Sequence, residues 1–252
     1  MADIAAEIVL LLVLAALIAG FIDSIAGGGG LVTVPALVLA GADPVTAIAT
    51  NKVQGIFAPA SAAIAYARAG LVDLRAQWPM ALAAFVASIA GALCVTLLPV
   101  DTLRLGLPIL LIAVALFVAL KPGLDDLDRA QRVTPLLFAA TLVPVVGFYD
   151  GLLGPGAGSF YMLGFVLLAG RGVLRATAES KLLNAASNLG GLLTFAVIAE
   201  PWWVVGLAMG AAQVAGAQMG TRLAVGRGAR LIKPLLVVVT TAMALRLMWE
   251  WV

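Results

Sequence analysis

Apolar runs bounded by turn or charge signals fall at 6–26, 31–41, 45–67, 76–98 and 102–120. A second set falls at 133–153, 158–169, 174–198, 202–224 and 231–249. A membrane-spanning helix needs about 20 consecutive apolar residues, and eight of the ten runs come near that length or exceed it. The pattern predicts an all-α integral membrane protein. The runs at 31–41 and 158–169 are too short to span, since eleven or twelve helical residues reach only about 17 Å. The first two segments of each set are therefore expected to form a hairpin or broken helix. Its tip would be a glycine loop, at 26–30 in one set and 154–158 in the other.

Between the sets lies the most polar stretch of the chain, residues 121–132, with Pro122, Gly123, Asp125, Asp126 and Asp128. It reads as an exposed linker between a first repeat, 1–120, and a second, 133–252. The halves match in order. Gly20-Phe21-Ile22-Asp23 recurs as Gly147-Phe148-Tyr149-Asp150, and Gly27 and Gly29 recur as Gly154 and Gly156. The hexapeptide from Ala47 to Lys52 recurs as Ala176 to Lys181, and Ala90-Gly91-Ala92 as Ala215-Gly216-Ala217. Five segments per half is an odd number, so the second repeat is expected to be inverted relative to the first. The two glycine loops would then meet near the midplane from opposite faces.

Basic residues set the expected topology, because Lys and Arg concentrate in cytoplasmic loops. With five segments per half, eleven of the 15 fall on one side: Arg68, Arg75, Lys121, Arg129, Arg132, Arg171, Arg175, Arg222, Arg227, Arg230 and Lys233. Arg104 and Arg246 fall on the other, and Lys52 and Lys181 lie inside segments. The linker is thus expected in the cytoplasm and both termini outside it. Trp202, Trp203, Trp249 and Trp251 fall near outer ends and Trp78 near an inner one, as interfacial tryptophans do.

Composition sharpens the class. Hydrophobic residues make up 63% and charged residues 11% of the 252, and the mean hydropathy is +1.12. A soluble domain is about 45–50% apolar and about 25% charged. A soluble enzyme, a nucleic-acid binder and a disordered chain are excluded. The formal charge of +2 says little about partners. There is no histidine, which removes Ser–His dyads, His-ligated metals and histidine proton relays. The single cysteine, Cys94, sits in an apolar run as a small packing residue. Asp3 and Glu7 precede the first apolar run with no basic residue, so that run reads as a retained helix, not a cleaved signal.

The candidate chemistry is concentrated at matched positions. The glycine loops break apolar helices, and irregular backbone at membrane depth survives only where protein or a cavity covers it. Each loop opens a short helix whose N-terminal N–H groups suit an anion, which singles out Gly28, Gly29 and Gly156. Close helix packing is the competing role for the same glycines. Lys52 and Lys181 lie about seven residues inside their segments, where a charge is costly and functional by default. Each is read either as a substrate contact or as a paired structural cation, Glu179 being a partner within reach of Lys181. Asp23 and Asp150 stand just before the loops, to fix them by accepting N–H groups or to take up protons as the site opens. Asn51, Ser180, Asn184 and Asn188 complete the substrate-binding set, with Ser24, Gln54 and Tyr149 around them. Asn184 and Asn188 share one helix face with Lys181.

Gly20-Phe21-x-Asp23, then Ala26-Gly27-Gly28-Gly29-Gly30, then Asn51-Lys52, resembles the first half of the TauE/SafE sulfite-exporter family. Gly147-Phe148-x-Asp150-Gly151, Gly154-Pro155-Gly156 and Ser180-Lys181-x-x-Asn184 resemble its second half. The resemblance covers nearly the whole chain. It implies a multi-pass transporter of the bacterial cell (inner) membrane that moves small organosulfur anions such as sulfite, sulfonates or sulfoacetate. Inverted repeats with broken helices suit a secondary transporter with alternating access around a midplane site. An anion channel, and at greater distance an intramembrane enzyme, are the alternatives. No enzymatic activity, cofactor, metal or nucleic acid is expected; the expected partners are a small anion and the lipid bilayer.

Overall fold

The computed structural model describes residues 5–98, 125–228 and 230. The segments read at 102–120 and 231–249, the linker residues 121–124, and Arg104, Arg246, Trp249 and Trp251 lie outside the described residues. Among the described residues there are ten helices and no strand. The first half holds α1 (Ala6–Ala26), α2 (Gly30–Leu39), α3 (Pro44–Gly55), α4 (Phe57–Arg68) and α5 (Leu74–Val95). The second holds α6 (Pro135–Ala140), α7 (Leu142–Leu152), α8 (Ala157–Leu167), α9 (Val173–Ile198) and α10 (Trp203–Arg227).

These helices follow the apolar runs, with two breaks inside them. The run 45–67 divides at Ile56, and the run 133–153 divides at Thr141. Pro59 has no N–H to offer the carbonyl of Gly55, and Pro144 none for Ala140, so each helix interrupts about one turn before its proline. Helices α3 and α5 start at side-chain caps. Asp43 accepts from the N–H groups of Val45 and Thr46 at 3.0 and 3.1 Å, and Asp73 from Arg75 and Ala76 at 2.8 and 3.2 Å.

Among the described residues, four helical stretches are long and apolar enough to cross a membrane: Ala6–Ala26, Leu74–Val95, Pro135–Leu152 and Val173–Ile198. Large apolar side chains point outward from them, among them Leu11 and Leu14 on α1, Val86 on α5 and Val197 on α9. That outward apolar surface suits lipid rather than water. The interior, by contrast, collects glycine, alanine and buried polar groups.

Small residues set how closely the halves approach. Helix α1 lies along α10, and α7 lies along α5. Gly20 faces the backbone of Gln213, and Gly216 faces the backbone of Leu17 and Phe21. In the other pair, Gly147 faces the backbone of Ala84, Gly91 that of Phe148, and Gly151 that of Ser88. In each pair the first segment of one half packs against the fourth segment of the other. Helix α9 is central and touches α3, α4, α5, α7 and α8.

At one end of the bundle the loops gather. Residues 70–73, Gln131, Pro135, Ala169, Arg171, Arg175 and Glu179 surround a cavity of about 620 Å³. The stretch 125–132 was expected to be an exposed linker. Its side chains are largely exposed, yet its backbone is pinned to the loop before α9. Asp125 O accepts from the Val173 N–H at 2.8 Å, Asp126 Oδ1 from Leu174 at 3.0 Å and Asp128 Oδ1 from Gly172 at 2.7 Å. Helix α9 begins at Gly172 without a side-chain cap of its own, and the linker carboxylates supply the missing acceptors.

Candidate functional site

The two glycine loops touch. Chain reversal at Gly27 and Gly28 uses φ of 78° and 88°, and at Gly154 and Gly156 φ of 95° and 86°, which favour glycine. Gly27 packs against Gly158 and Ser159, and the Ser159 hydroxyl donates to Ala26 O at 3.0 Å. Gly30 lies beside Pro155 and the Asn51 amide. Helices α2 and α8 therefore both begin at the same place, and their N-terminal residues border one small polar cavity.

That cavity has a volume of about 20 Å³. Its lining includes Asp23, Gly28, Gly29, Gly30, Asn51, Gly55, Gly154, Gly156, Gly158, Asn184, Asn188 and Gln213. A cavity of this size admits about one water and no sulfur oxyanion. Of the residues singled out in the sequence, Gly28, Gly29, Gly156, Asn51, Asn184, Asn188 and Asp23 are thus brought together. Ser180 is not: its hydroxyl turns back to Thr177 O on its own helix, at 2.8 Å.

The lysines stand behind this lining, each bound to the opposite half. Lys52 Nζ donates to Asp150 Oδ1 at 2.6 Å and to Asn188 Oδ1 at 3.4 Å. Both charged side chains are essentially inaccessible, at 0% and 1%. The second oxygen of Asp150 accepts from the Ser187 hydroxyl and from Asn188 Nδ2. Lys181 Nζ donates to the Asp23 backbone carbonyl and stands 4.0 Å from Asp23 Oδ2. The matched lysines and the matched aspartates thus pair crosswise between the halves.

The aspartates are not equivalent. Asp23 accepts from the Gly29 N–H of its own loop at 3.0 Å through Oδ1. Its Oδ2 is buried and accepts no hydrogen bond. Asp150 fixes Lys52, not a loop N–H; Tyr149 holds the second loop instead, donating to Pro155 O at 2.5 Å. No hydrogen bond joins Asp23 to Asp150, so they do not form a carboxyl dyad.

Glu179 differs from expectation. It pairs with Arg171 at 3.3 Å and Arg175 at 3.0 Å, away from Lys181. Residues two apart on a helix point about 200° from each other, whereas Arg175 and Glu179 are four apart and share a face.

An amide chain missing from the sequence reading completes the site. Gln213 Nε2 donates to Gln54 Oε1 at 2.8 Å, Gln54 Nε2 to Asn51 Oδ1 at 3.1 Å, and Thr33 to Asn51 Oδ1 at 2.7 Å. Gln213 precedes Ala215-Gly216-Ala217 by two residues, as Ser88 precedes Ala90-Gly91-Ala92. Ser88 in turn donates to Ser187 O at 2.5 Å. A polar residue at matched positions in otherwise apolar runs was the signal. Ser24 and Tyr66 form a further link, the Tyr66 hydroxyl donating to Ser24 O at 2.8 Å.

The family model described as "Sulfite exporter TauE/SafE" matches residues 12–247. The chain belongs to the TauE/SafE family. A "Probable membrane transporter protein ORF9" from Sinorhizobium sp is 53% identical over 98% of this chain and 95% of its own length. "Probable membrane transporter protein YfcA" of Escherichia coli K12 is 47% identical over 93% of this chain and 87% of its own. A "Probable membrane transporter protein" of Haemophilus influenzae is 36% identical over 98% and 97%. No solved structure matches. As a TauE/SafE member with several apolar helices, the chain is a multi-pass membrane protein of a transporter family.

Proposed function

We propose that this TauE/SafE protein is a secondary transporter of the cell (inner) membrane. It carries a small organosulfur or related anion, of the sulfite, sulfonate or sulfoacetate type, by alternating access. Its halves, 1–120 and 133–252, are inverted five-segment repeats joined by a cytoplasmic linker, 121–132.

The observation that carries this reading is the crossed pairing of Lys52 with Asp150 and Lys181 with Asp23 around two touching helix N-termini. Crossed contacts between matched residues are what a two-fold relation between the halves produces, as at an isologous interface. The matching contacts of α1 with α10 and α7 with α5 support it further. Helix N-termini and buried lysines favour negative charge, and the lining amides and glycine N–H groups supply donors for oxyanion oxygens. The substrate positions are Lys52, Lys181, Asn51, Asn184, Asn188, Gly28, Gly29 and Gly156; Ser180, bonded back to Thr177 O, is left out. A central cavity of about 20 Å³ supports a shut state in a moving cycle over a standing anion channel.

The test is a thermal-shift and binding screen of the purified protein against sulfite, methanesulfonate, sulfoacetate, thiosulfate and simple carboxylates. Saturable stabilisation by a sulfur oxyanion, weakened in Lys181→Ala, is the expected outcome. No response to any anion overturns the reading.

A further inference from the structure

We propose that Asp23 is the proton-binding residue that couples anion passage to proton passage, while Asp150 stays ionised as the fixed partner of Lys52. The inference rests on the anion-transport reading above and extends it to the driving ion and its residue.

The argument starts from charge balance. With Lys52, Lys181, Asp23 and Asp150 all ionised, the buried cluster is neutral. A neutral cluster leaves only the partial charge of the helix N-termini to attract an incoming anion against its desolvation. One proton added to a carboxylate leaves the cluster with a single positive charge, which matches a monoanion. Anion and proton then bind together, and each strengthens the other by the same factor.

The two carboxylates differ in which of them can take that proton. Asp150 holds Lys52 at 2.6 Å, and its other oxygen is bonded by Ser187 and Asn188. A proton there would break a closed set of bonds. Asp23 holds Lys181 loosely, at 4.0 Å, and its Oδ2 accepts nothing although it is buried. An ionised carboxylate oxygen with no donor is costly to bury. Asp23 also borders the central cavity, with Gly28, Gly29 and Gln213; Asp150 does not. A proton arriving with solvent through an opened cavity therefore meets Asp23 first. It binds Oδ2 and leaves by the same atom when the cavity opens to the opposite side. Gly29 stays bonded to Oδ1 throughout, so the loop keeps its shape.

The surroundings of Asp23 are consistent with this role. From α9 it faces Lys181, whose Nζ remains tied to the Asp23 carbonyl when the carboxyl is neutral and is then the uncompensated cation for the anion. From α4 it faces the Tyr66 hydroxyl, which is engaged with Ser24 O. From α7, Asp150 acts on it through space and is neutralised by Lys52. Helix α2 carries no titratable residue, α8 carries the buried Tyr161, and α10 presents Gln213 and Gly220 there; Arg222, two residues past Gly220, and Arg227 have exposed side chains.

The experiment uses the full chain in detergent and in liposomes, with methanesulfonate as the first probe because its charge does not change with pH. Sulfite, sulfoacetate and thiosulfate follow. In weakly buffered solution, anion binding by the wild type should take up about one proton per anion. Its affinity should weaken about tenfold from a low to a high pH. Asp23→Asn should bind with the acid-state affinity at both pH values, take up no proton, still exchange anion across the bilayer, and fail to accumulate it against a pH gradient. Asp150→Asn should keep the proton uptake in whatever fraction folds. Binding without proton uptake in the wild type overturns the inference and leaves the transport reading standing. So does a pH dependence that persists in Asp23→Asn. No binding of any of the four anions overturns the transport reading, and this inference with it.

Discussion

Lys52 Nζ stands 2.6 Å from Asp150 Oδ1, although 98 residues separate them. Their side chains are shut off from solvent, so each is the other's charged partner in place of lost hydration, with Asn188 and Ser187 adding neutral hydrogen bonds. Breaking one side of such a pair typically costs about 3–5 kcal/mol. Lys52→Ala should therefore lower stability by about that amount, and an apolar pair, Lys52→Met with Asp150→Leu, should recover much of it. Lys181→Ala should cost clearly less, because its carboxylate lies at 4.0 Å. Thermal unfolding of the four proteins in one detergent checks the order.

Gly154 separates backbone strain from damage to that pair. Its φ is +95°, and a Cβ there would sit 2.8 Å from Lys52 Nζ. Gly41 has φ +97° with nothing within 4 Å of its missing Cβ. Both alanine variants pay for the left-handed conformation, about 1–2 kcal/mol. Gly154→Ala should lose more than Gly41→Ala in denaturation experiments, by the cost of displacing Lys52. Equal losses would mean that the lysine moves aside freely.

The close approach of the halves gives a third expectation. Gly91 lies against the backbone of Phe148, and Gly216 against that of Leu17 and Phe21. Backbone cannot yield as a side chain does, so Gly91→Ala and Gly216→Ala should each destabilise by about 1–3 kcal/mol. Gly226→Ala, with open space around it, should be neutral or mildly stabilising.

Topology is accessible to labelling. In a Cys94→Ser background, Arg132→Cys on the linker and Glu200→Cys after α9 both place an exposed thiol. A membrane-impermeant maleimide added to intact cells should modify the cysteine at 200 and leave the one at 132 until the cells are opened. The reverse pattern sinks the proposed orientation.

Much of the fold was legible because bilayer thickness and helical rise leave few solutions for long apolar runs. The boundaries of α1, α5 and α9 follow from the runs alone. The breaks at Ile56 and Thr141 follow from Pro59 and Pro144, yet hydropathy does not register a missing N–H. For the site, the repeat identified Lys52 with Lys181 and Asp23 with Asp150. It did not reveal that each lysine meets the other half's aspartate, since pairing between halves depends on packing that no linear spacing encodes. Glu179 illustrates the hazard: nearness in sequence suggested Lys181, while helical phase assigns it to Arg175 and the loop before α9 brings Arg171 to it. Gln213 escaped notice because its repeat counterpart, Ser88, is a different polar residue type. The smallness of the central cavity is a property of tertiary closure alone.

The central claim is an anion site, reached alternately from the two sides, around the crossed lysine–aspartate pairs. Counterflow in proteoliposomes tests it most directly. Vesicles loaded with unlabelled sulfoacetate or methanesulfonate receive a trace of the labelled anion outside. The account predicts a transient, saturable overshoot of label that is lost in Lys181→Ala while that variant remains folded. Label that merely equilibrates, at a rate linear in concentration and independent of the anion inside, would contradict it.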